Sequence, residues 1–329
     1  MNKNFLKNKT ILITGGTGSF GKKFLDTIYK KYNNFKKIII FSRDEYKQHQ
    51  LAKIYSGKKY KNLRFLLGDV RDKDRLFLAL EKVDYVVHAA ALKQVPAAEY
   101  NPFEFIKTNI IGANNLIETC ILQKVKKVIA LSTDKAAAPI NLYGATKLCS
   151  DKLFVSANNI IGNKNIQFSV VRYGNVMNSR GSVIPIFKQD SVKGELKITD
   201  KRMTRFNITL EEGVEFVLFA LENSLGQEIF VPKLKSYNIL DLAKAVSNKA
   251  KIKVIGIREG EKIHEEMITK SDSYNTLESK NFYVILPTNI ENKKRYVAKF
   301  KSKLIKEPYS YNSKDNPDKL KISDLKKII

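Results

Sequence analysis

A glycine-rich stretch at residues 14–21, Thr-Gly-Gly-Thr-Gly-Ser-Phe-Gly, constrains the fold of this chain more than any other feature. It follows an apolar segment, Ile11-Leu12-Ile13, and precedes a segment with helical periodicity that extends to about Lys31. Glycines at three-residue intervals permit a tight turn, close approach of a pyrophosphate and close packing of helix on strand, while the helix N-terminus attracts phosphate. We therefore predict a βαβ unit that binds a dinucleotide. The predicted contacts are Gly15, Thr17, Gly18, Ser19, Phe20 and Gly21.

Short apolar strands alternate with helices as far as about residue 174. Further strands are predicted at residues 37–41, 62–67, 83–88, 127–131 and 167–172. This alternation predicts an α/β fold with a doubly wound parallel sheet of the Rossmann type. Beyond residue 175 the alternation breaks down, which indicates a smaller, discontinuous C-terminal lobe. We expect a dinucleotide-binding domain at residues 1–174, to which later segments return, a mainly substrate-binding lobe at 175–287, and a peripheral basic extension at 288–329.

The net charge of +26, from 59 basic and 33 acidic residues, could reflect a polyanionic partner or a general lysine bias. The lysines are scattered singly and no basic stripe carries interleaved aromatic residues, so we expect an anionic small molecule and no nucleic acid. Two cysteines make no disulfide framework, which favours a cytoplasmic location. No apolar run approaches the roughly 20 residues that span a bilayer, so we expect no membrane contact.

A possible metal motif begins at His264-Glu265-Glu266-Met267-Ile268. Zinc-protease helices place a second histidine where this chain has Ile268, and only three histidines occur in the whole sequence. We therefore expect no metal site.

The ends of the predicted strands indicate which dinucleotide is bound. Ser42 and Arg43 follow the second strand, and an arginine there can pair with the 2′-phosphate of NADP. The alternative is that Arg43 lies on the surface and Asp44 begins the next helix. Asp69 is placed to accept a hydrogen bond from adenine, with Val70 packing on the ring, although Asp69 could instead cap a helix.

Small residues follow the fourth strand and predict a floor that a nicotinamide ribose can approach. Lys93 then either meets a phosphate or is simply exposed. We also assign cofactor contacts to Asn109, on a helix predicted at 101–123, and to Tyr173 at the end of the sixth strand. The residues of the predicted floor are Ala89, Ala90 and Ala91.

The segment 132–147 is a predicted proton-transfer centre. Tyr143 and Lys147 are four residues apart, so they share one face of the predicted helix. A nearby lysine favours phenolate, and we therefore expect the pKa of Tyr143 to lie near neutrality. Thr133 supplies a hydroxyl, and Asp134 and Lys135 add two ionisable groups.

These features together resemble the extended short-chain dehydrogenase/reductase family, and within it the inverting UDP-N-acetylglucosamine 4,6-dehydratases that begin pseudaminic acid biosynthesis for surface glycans and flagellin. Thr-Asp-Lys at 133–135 matters most, because retaining dehydratases resemble Thr-Asp-Glu here and simple epimerases lack the acid–base pair. C4 epimerases and retaining 4,6-dehydratases of the same fold are the alternatives. The matching segments are 14–21, 68–72, 89–93, 132–137, 141–147, 172–176 and 202–206.

The resemblance implies a redox-neutral cycle with NADP bound tightly and regenerated in each turnover. Tyr143, supported by Lys147 and Thr133, would take the C4 hydroxyl proton. Lys135, as a neutral amine with a lowered pKa, would remove the C5 proton, and protonated Asp134 would donate to the departing C6 hydroxyl. A homo-oligomer, often a hexamer in this branch, is also implied.

The resemblance further implies a diphosphate-binding lobe, for which arginine is well suited. For each residue predicted to contact the substrate, the alternative is an ordinary charged side chain on the surface. The sequence departs from the usual pattern of the branch at Gln94, Ala138 and Asn207, none of which is an acid, base or hydride-site group. The predicted substrate contacts are Lys93, Lys135, Asn175, Arg180, Arg205, Arg258 and Glu261.

Overall fold

Ten strands form one sheet at the centre of the computed structural model, which describes residues 2, 4–32, 34–177, 183–306 and 308–329. Seven neighbouring strands are parallel, and three antiparallel strands extend the sheet at one edge. The parallel strands are β1 (Thr10–Thr14), β2 (Lys37–Ser42), β3 (Leu63–Leu67), β4 (Tyr85–His88), β5 (Lys127–Thr133), β6 (Gln167–Tyr173) and β10 (Ile229–Pro232). The antiparallel strands are β14 (Thr276–Glu278), β15 (Phe282–Ile285) and β16 (Lys303–Leu304).

The strand order is β16-β14-β15-β10-β6-β5-β4-β1-β2-β3. From β1 the chain runs outward through β2 and β3, and then returns to the other side of β1 with β4, β5 and β6. This is the doubly wound arrangement, and it confirms the predicted fold class. Ligands bind such sheets at the carboxyl ends of the strands where the order reverses. Here that crevice lies between β1 and β4.

Helices cover both faces of the sheet, because alternate residues of its strands point to opposite sides. Ile11 and Ile13 pack on the side of α1 and α9, whereas Leu12 packs on the side of α3 and α6. The helices that flank the large sheet are α1 (Ser19–Lys31), α2 (Glu45–Ile54), α3 (Lys73–Ala79), α4 (Val95–Tyr100), α5 (Pro102–Phe105), α6 (Gly112–Leu122), α7 (Leu142–Ser156), α9 (Leu210–Asn223) and α12 (Lys293–Phe300).

A smaller lobe has its own apolar core, formed around Phe187, Leu196 and Leu242. Its helices are α8 (Val183–Val192), α10 (Ile239–Val246) and α13 (Ile322–Ile328). A short helix, α11 (Lys270–Ser273), precedes β14 in the chain. Its strands are β7 (Asn175–Val176), β8 (Glu195–Ile198), β9 (Thr204–Ile208), β11 (Lys235–Asn238) and β12 (Lys251–Val254), with β13 (Glu266–Ile268) and β17 (Tyr311–Asn312) forming a separate pair.

The strands predicted up to residue 174 agree with the structure to within two residues at each end. The helix predicted at 101–123 is α5 and α6 joined by a π-helical turn, Ile106–Ile111. Residues 92–94 connect β4 to α4, which begins at Val95.

The C-terminal extension is not peripheral, contrary to our expectation. It supplies β16 to the large sheet, while buried Tyr311 packs against Phe206 and Tyr283, and buried Leu325 joins the core of the smaller lobe. The buried apolar residues of this extension are few and widely spaced among charged residues, so they produce no periodic pattern in the sequence.

Ala138 is held in an unfavourable backbone conformation, with φ of +44°. A side chain with a β-carbon clashes in the left-handed region, although asparagine tolerates it better than most residues. Ala138 is exposed, so a larger side chain has room. We expect Ala138→Asn to stabilise the fold by about 1 kcal/mol, raising Tm by about 2 °C. Ala138→Val, tested by the same thermal unfolding, should lower Tm; a lower Tm for the asparagine variant would contradict the assignment of strain.

Candidate active site

The glycine-rich turn brings the end of β1 against the end of β4. Gly15 has φ of +65°, and a β-carbon on it would lie 2.8 Å from the Cα of Ala90. A β-carbon on Gly21 would lie 2.1 Å from the carbonyl oxygen of Gly16, so α1 can pack only with glycine there. Gly18 immediately precedes α1. The glycines leave backbone open at this turn, and its shape therefore fits a pyrophosphate at the helix N-terminus.

Ser42 and Arg43, at the end of β2, differ in burial and in their hydrogen-bond partners. Ser42 is buried, and its hydroxyl and carbonyl oxygens accept from Gln48 Nε2, each at 3.0 Å. The Arg43 side chain is 55% exposed and lies 3.8 Å from Asp69. Asp44 caps α2 by accepting from the Lys47 amide. Arg43 is thus the residue of this pair that can reach a ligand, while Ser42 has protein partners.

Asp69 makes a two-pronged ion pair with Arg71, whose NH2 lies 2.7 Å and whose Nε lies 3.0 Å from Oδ2. Burial acts to raise the pKa of Asp69, but the hydrogen bonds and charge of Arg71 outweigh it and lower the pKa. Val70 is buried and would contact a β-carbon on Gly112. Its side chain therefore packs in the core, and we correct its predicted role of stacking on adenine.

The loop after β4 is held by Asn109, within the π-helical turn. Asn109 Oδ1 accepts from the Leu92 amide and Nδ2 donates to the Leu92 carbonyl, both at 2.9 Å. Nδ2 also donates to Thr146 Oγ1 at 3.0 Å. We predicted a cofactor contact for Asn109; the structure instead shows that it ties the Ala89–Ala91 floor to α7. A π-helical turn commonly marks such a functional position.

The predicted proton-transfer centre lies at the end of β5 and the start of α7. A single helical turn, Asp134–Ala136, follows β5, and Asn141 caps α7 by accepting from the Gly144 amide at 2.8 Å. A β-carbon on Gly144 would lie 2.3 Å from the Lys135 carbonyl oxygen. The start of α7 therefore packs directly on the turn that carries Asp134 and Lys135.

Tyr143 hydrogen-bonds to Thr133, as expected for two groups that share a substrate oxygen. Our expectation of a near-neutral pKa was wrong for the ligand-free protein. Burial raises the pKa of Tyr143 to about 12, and the opposing effects of Lys135 and of the Thr133 hydrogen bond are smaller. Tyr143 packs against Ala98 and Phe105. Helical spacing alone could not reveal this degree of burial.

Lys147 is also buried, and burial lowers its pKa although Asp151 acts in the opposite direction. Asp151 Oδ2 accepts from Ser132 Oγ at 2.7 Å and from Arg172 NH2 at 3.1 Å. This buried network joins α7 to the ends of β5 and β6 and so fixes the helix that carries Tyr143. Our sequence interpretation did not find it, because its members lie up to 40 residues apart.

Asp134 and Lys135 form part of a buried ionic cluster. Lys135 Nζ lies 3.1 Å from Asp134 Oδ1, 3.1 Å from Glu265 Oε1 and 3.2 Å from Asn175 Oδ1. The Thr133 hydroxyl donates to Asp134 Oδ1 at 2.9 Å. Burial raises the pKa of Asp134, and Glu265 adds to this effect, although Lys135 opposes it. The cluster thus places an acid whose pKa is raised beside an amine.

The expected lowering of the Lys135 pKa does not occur in the ligand-free protein. Burial acts to lower it, but the charges of Asp134 and Glu265 outweigh burial and raise it. Lys135 is therefore an ammonium ion here. Glu265 was overlooked because it lies in the segment that we considered only as a failed zinc motif, 130 residues beyond Lys135.

Arg205 was expected to contact the substrate diphosphate, and this role is corrected. Its side chain is only 9% exposed, donates to the carbonyls of Thr204 and Ile263, and lies 3.5 Å from Glu261 and 3.7 Å from Glu265. Arg205 therefore balances the charge of two carboxylates inside the lobe.

Three other residues predicted to bind the substrate are Arg258, Lys93 and Arg180. Arg258 is exposed, and its amide lies 3.4 Å from Glu261, on a loop that reaches the start of α7 through a hydrogen bond from Asn141 Nδ2 to Gly260 at 2.7 Å. Lys93 lies on the loop after β4, where its side chain is exposed. Desolvation of its amine and the nearby charge of Lys135 both lower its pKa. Arg180 lies outside the described residues.

Tyr173, a predicted cofactor contact, is buried at the end of β6, and its burial raises its pKa. No group of three or more His, Cys, Asp or Glu side chains within the described residues could hold a metal ion. Across the same described ranges, no helix combines the length and apolar character needed to cross a membrane.

Comparison with known proteins places these features among sugar-nucleotide enzymes. The profile described as "Polysaccharide biosynthesis protein" matches residues 11–287. The chain is 52% identical, over 98% of its length and 97% of the relative, to a UDP-N-acetylglucosamine 4,6-dehydratase (inverting) of Campylobacter jejuni. It is 41% identical to a UDP-glucose 4-epimerase of Rickettsia akari, over 98% of this chain and 95% of the relative. The crystal structure of Pen from Bacillus thuringiensis is 37% identical, covers 99% of this chain and 98% of its own, and has a TM-score of 0.89.

Proposed function

Because the chain belongs to the polysaccharide biosynthesis protein family and has the extended short-chain dehydrogenase/reductase fold, we propose that it is an inverting UDP-N-acetylglucosamine 4,6-dehydratase. The observation that carries this proposal is the contact between Asp134 and Lys135 beside Tyr143. Oxidation at C4 requires only the tyrosine, but loss of water across C5 and C6 requires a second acid and base.

The cofactor site fits a nicotinamide dinucleotide, because Gly15 and Gly21 leave no room for side chains at the turn where a pyrophosphate would lie. The turn and the first residues of α1 would hold the phosphates, Arg43 and Asp69 the adenosine end, and Ala90 with its neighbours the nicotinamide ribose. When bound, the oxidised nicotinamide supplies a hydride acceptor and a positive charge that favours the Tyr143 phenolate. We propose NADP, bound tightly and regenerated in each turnover.

Tyr143 takes the proton of the C4 hydroxyl, and Thr133 hydrogen-bonds to the same oxygen. Lys147, on the same face of α7, supports the phenolate electrostatically. The C4 ketone that results acidifies the proton on C5. These residues perform the proton transfer that accompanies removal of hydride from C4.

Asp134 and Lys135 perform the dehydration. Transfer of one proton along their 3.1 Å hydrogen bond converts the ion pair into a neutral acid and a neutral amine without changing the net charge of the cluster. Lys135 can then remove the C5 proton while Asp134 donates a proton to the C6 hydroxyl, which leaves as water and leaves a double bond between C5 and C6. Return of the C4 hydride to C6, and of a proton to the opposite face of C5, would complete the 6-deoxy product, invert C5 and restore the oxidised dinucleotide. Asp134 Oδ2 is buried and has no hydrogen-bond partner among the described residues, which disfavours the ionised carboxylate and so favours uptake of the proton from Lys135.

A UDP-sugar 4-epimerase is the second candidate, favoured by the 41% identity to the Rickettsia akari enzyme of that name. A retaining 4,6-dehydratase is a third. An epimerase returns hydride to C4 and makes no use of an acid–base pair at C5 and C6. An epimerase is distinguished from either dehydratase by incubating purified protein with UDP-N-acetylglucosamine and recording the mass of the product. Loss of one water supports dehydration, whereas an isomer of unchanged mass would show an epimerase.

Arg43 should determine the preference for NADP over NAD. We expect Arg43→Ala to weaken NADP binding by about tenfold to a hundredfold, the effect of losing a charge-assisted hydrogen bond to a phosphate. NAD binding should change little. Fluorescence titration of protein stripped of nucleotide measures both constants, with Lys47→Ala, on the adjacent helix, as the control. Equal losses for the two dinucleotides would refute a role for Arg43 at the 2′-phosphate.

The product of this reaction would be a UDP-2-acetamido-2,6-dideoxy-L-arabino-hex-4-ulose, which suits the first step of pseudaminic acid biosynthesis for surface glycans. We propose a cytoplasmic location, where UDP-sugars are made, and a homo-oligomer, with a hexamer as the form to test by light scattering. Arg258 and Lys93 are the exposed cations proposed to bind the diphosphate.

A further inference from the structure

A second carboxylate reaches the amine of Lys135 from the opposite lobe. Glu265 is 2% exposed, and its Oε1 lies 3.1 Å from Lys135 Nζ, the same distance as Asp134 Oδ1. Building on the proposed dehydratase function, we propose that Glu265 is a positioning residue that fixes Lys135 Nζ and sets the pH at which Lys135 becomes a base. Asp134, which directly precedes Lys135, cannot fix Lys135 Nζ alone because Asp134 is itself the acid of the reaction.

The backbone of Glu265 is hydrogen-bonded to a residue far away in the sequence. Its amide donates to Ser313 Oγ at 2.9 Å, and the Ser313 amide donates to the Glu265 carbonyl at 2.8 Å. Ser313 Oγ also lies 2.7 Å from Thr204 Oγ1, on β9. The C-terminal extension therefore fixes the position of Glu265, which gives the extension a direct part in the geometry of the site.

Besides Lys135, two cations lower the pKa of Glu265. Arg205 Nε lies 3.7 Å from Oε1, and Lys262 also acts on this carboxylate. Although burial acts to raise its pKa, Lys135, Arg205 and Lys262 outweigh burial and lower it. The lowered pKa favours the charged form of Glu265 beside the Lys135 ammonium, and so a second negative charge acts on that amine.

The groups that face Lys135 come from every neighbouring element. The balance of these charges is what a change at Glu265 would alter. The carboxylates are Asp134 and Glu265, the cations are Arg205, Lys93 and Lys262, and the phenols are Tyr143 and Tyr237. With Glu265 neutralised, Lys135 would face one carboxylate and three cations, so its pKa must fall.

The direction of the pH effect follows for both groups. Lys135 acts as a base only when neutral, so a lower Lys135 pKa moves the rising limb of the pH profile to lower pH. Glu265 also raises the pKa of Asp134, so its neutralisation moves the falling limb, where the acid is lost, to lower pH as well. Because the groups interact, the two limbs report the cluster as a whole.

The test is the pH dependence of deuterium incorporation at C5 of UDP-N-acetylglucosamine by the wild-type protein and Glu265→Gln. We expect both limbs of the variant to move to lower pH by about 1 unit or more, the usual effect of one opposite charge in contact. Glu265→Asp keeps the charge but shortens its reach, and should give a smaller shift in the same direction. Glu228→Gln, a buried carboxyl bound by Ser169 Oγ at 2.6 Å, is the matched control and should not shift the profile.

A readout without turnover uses competitive amine labelling of the ligand-free proteins, followed by peptide mass spectrometry. Lys135 should label at lower pH in Glu265→Gln than in the wild type, whereas Lys127, on the opposite end of β5, should be unchanged. Coincident profiles and unchanged Lys135 labelling would overturn the role of Glu265. Wild-type protein that forms no dehydrated product would instead overturn the proposed function, so the two failures are separable, and the labelling still tests the charge coupling.

Discussion

Replacing Lys135 by methionine should lower the rate of dehydration by a factor of about 10² to 10⁴, the usual contribution of a general base. Methionine preserves the length of the side chain and removes the amine that takes the C5 proton. Tyr143, Thr133 and Lys147 remain, so oxidation at C4 should continue. Because the later steps stop, reduced nicotinamide should accumulate in a single turnover instead of appearing only transiently.

The variant also leaves Asp134 and Glu265 buried without their shared cation, which lies 3.1 Å from each in the wild type. Breaking such a cluster costs about 3–5 kcal/mol when the remaining charges stay ionised. Asp134, whose pKa burial already raises, can relieve much of this cost by taking up a proton.

Stopped-flow absorbance of the nicotinamide and mass spectrometry of the sugar measure the two halves of the reaction for Lys135→Met. Lys127→Met is the control, since Lys127 Nζ donates to the carbonyls of Glu222 and Ser224 at the far end of β5. The assignment of Lys135 would be wrong if this variant formed dehydrated product at the wild-type rate.

Replacing Tyr143 by phenylalanine should have an equally large effect at an earlier step. The ring packs against Ala98 and Phe105 and should stay in place, so the fold loses only the hydroxyl and its hydrogen bond to Thr133. Without a proton acceptor at C4, we expect hydride transfer to fall by about 10² to 10⁴. Neither reduced nicotinamide nor dehydrated product should appear.

The pair of variants therefore separates the two chemical halves of the site. Lys135→Met should trap reduced nicotinamide, whereas Tyr143→Phe should never form it. Tyr296→Phe controls for loss of a buried tyrosine hydroxyl, because Tyr296 donates to the Gly226 carbonyl at 2.9 Å away from the site. Accumulation of reduced nicotinamide in Tyr143→Phe would show that another group accepts the C4 proton.

The features that could be predicted from the sequence are those that depend on local spacing. The glycines at 15, 18 and 21, the strands up to β6, and the alignment of Tyr143 with Lys147 each arise within a few residues, where backbone geometry dictates the result. The parallel, doubly wound class of the sheet followed from strand–helix alternation, because parallel strands need crossover helices.

The contacts that sequence reasoning missed are those made by packing between distant segments. Glu265 meets Lys135, and Ser313 fixes Glu265, only because the smaller lobe and the C-terminal extension fold over the end of β5. Burial sets the direction of the Tyr143 pKa, and Asp134 with Glu265 sets that of Lys135. The spacing of Tyr143 and Lys147, and the role that the resemblance implied for Lys135, therefore led to the opposite expectations.

The central claim is that this site removes water across C5 and C6 and inverts C5. Its most direct test is a proton NMR time course of purified protein with UDP-N-acetylglucosamine in deuterated water, without added cofactor. We expect a 6-deoxy-4-keto product that carries deuterium at C5 and has the inverted configuration there, formed with nucleotide that the protein retains. A product epimerised only at C4, or a dehydrated product with C5 configuration retained, would contradict it.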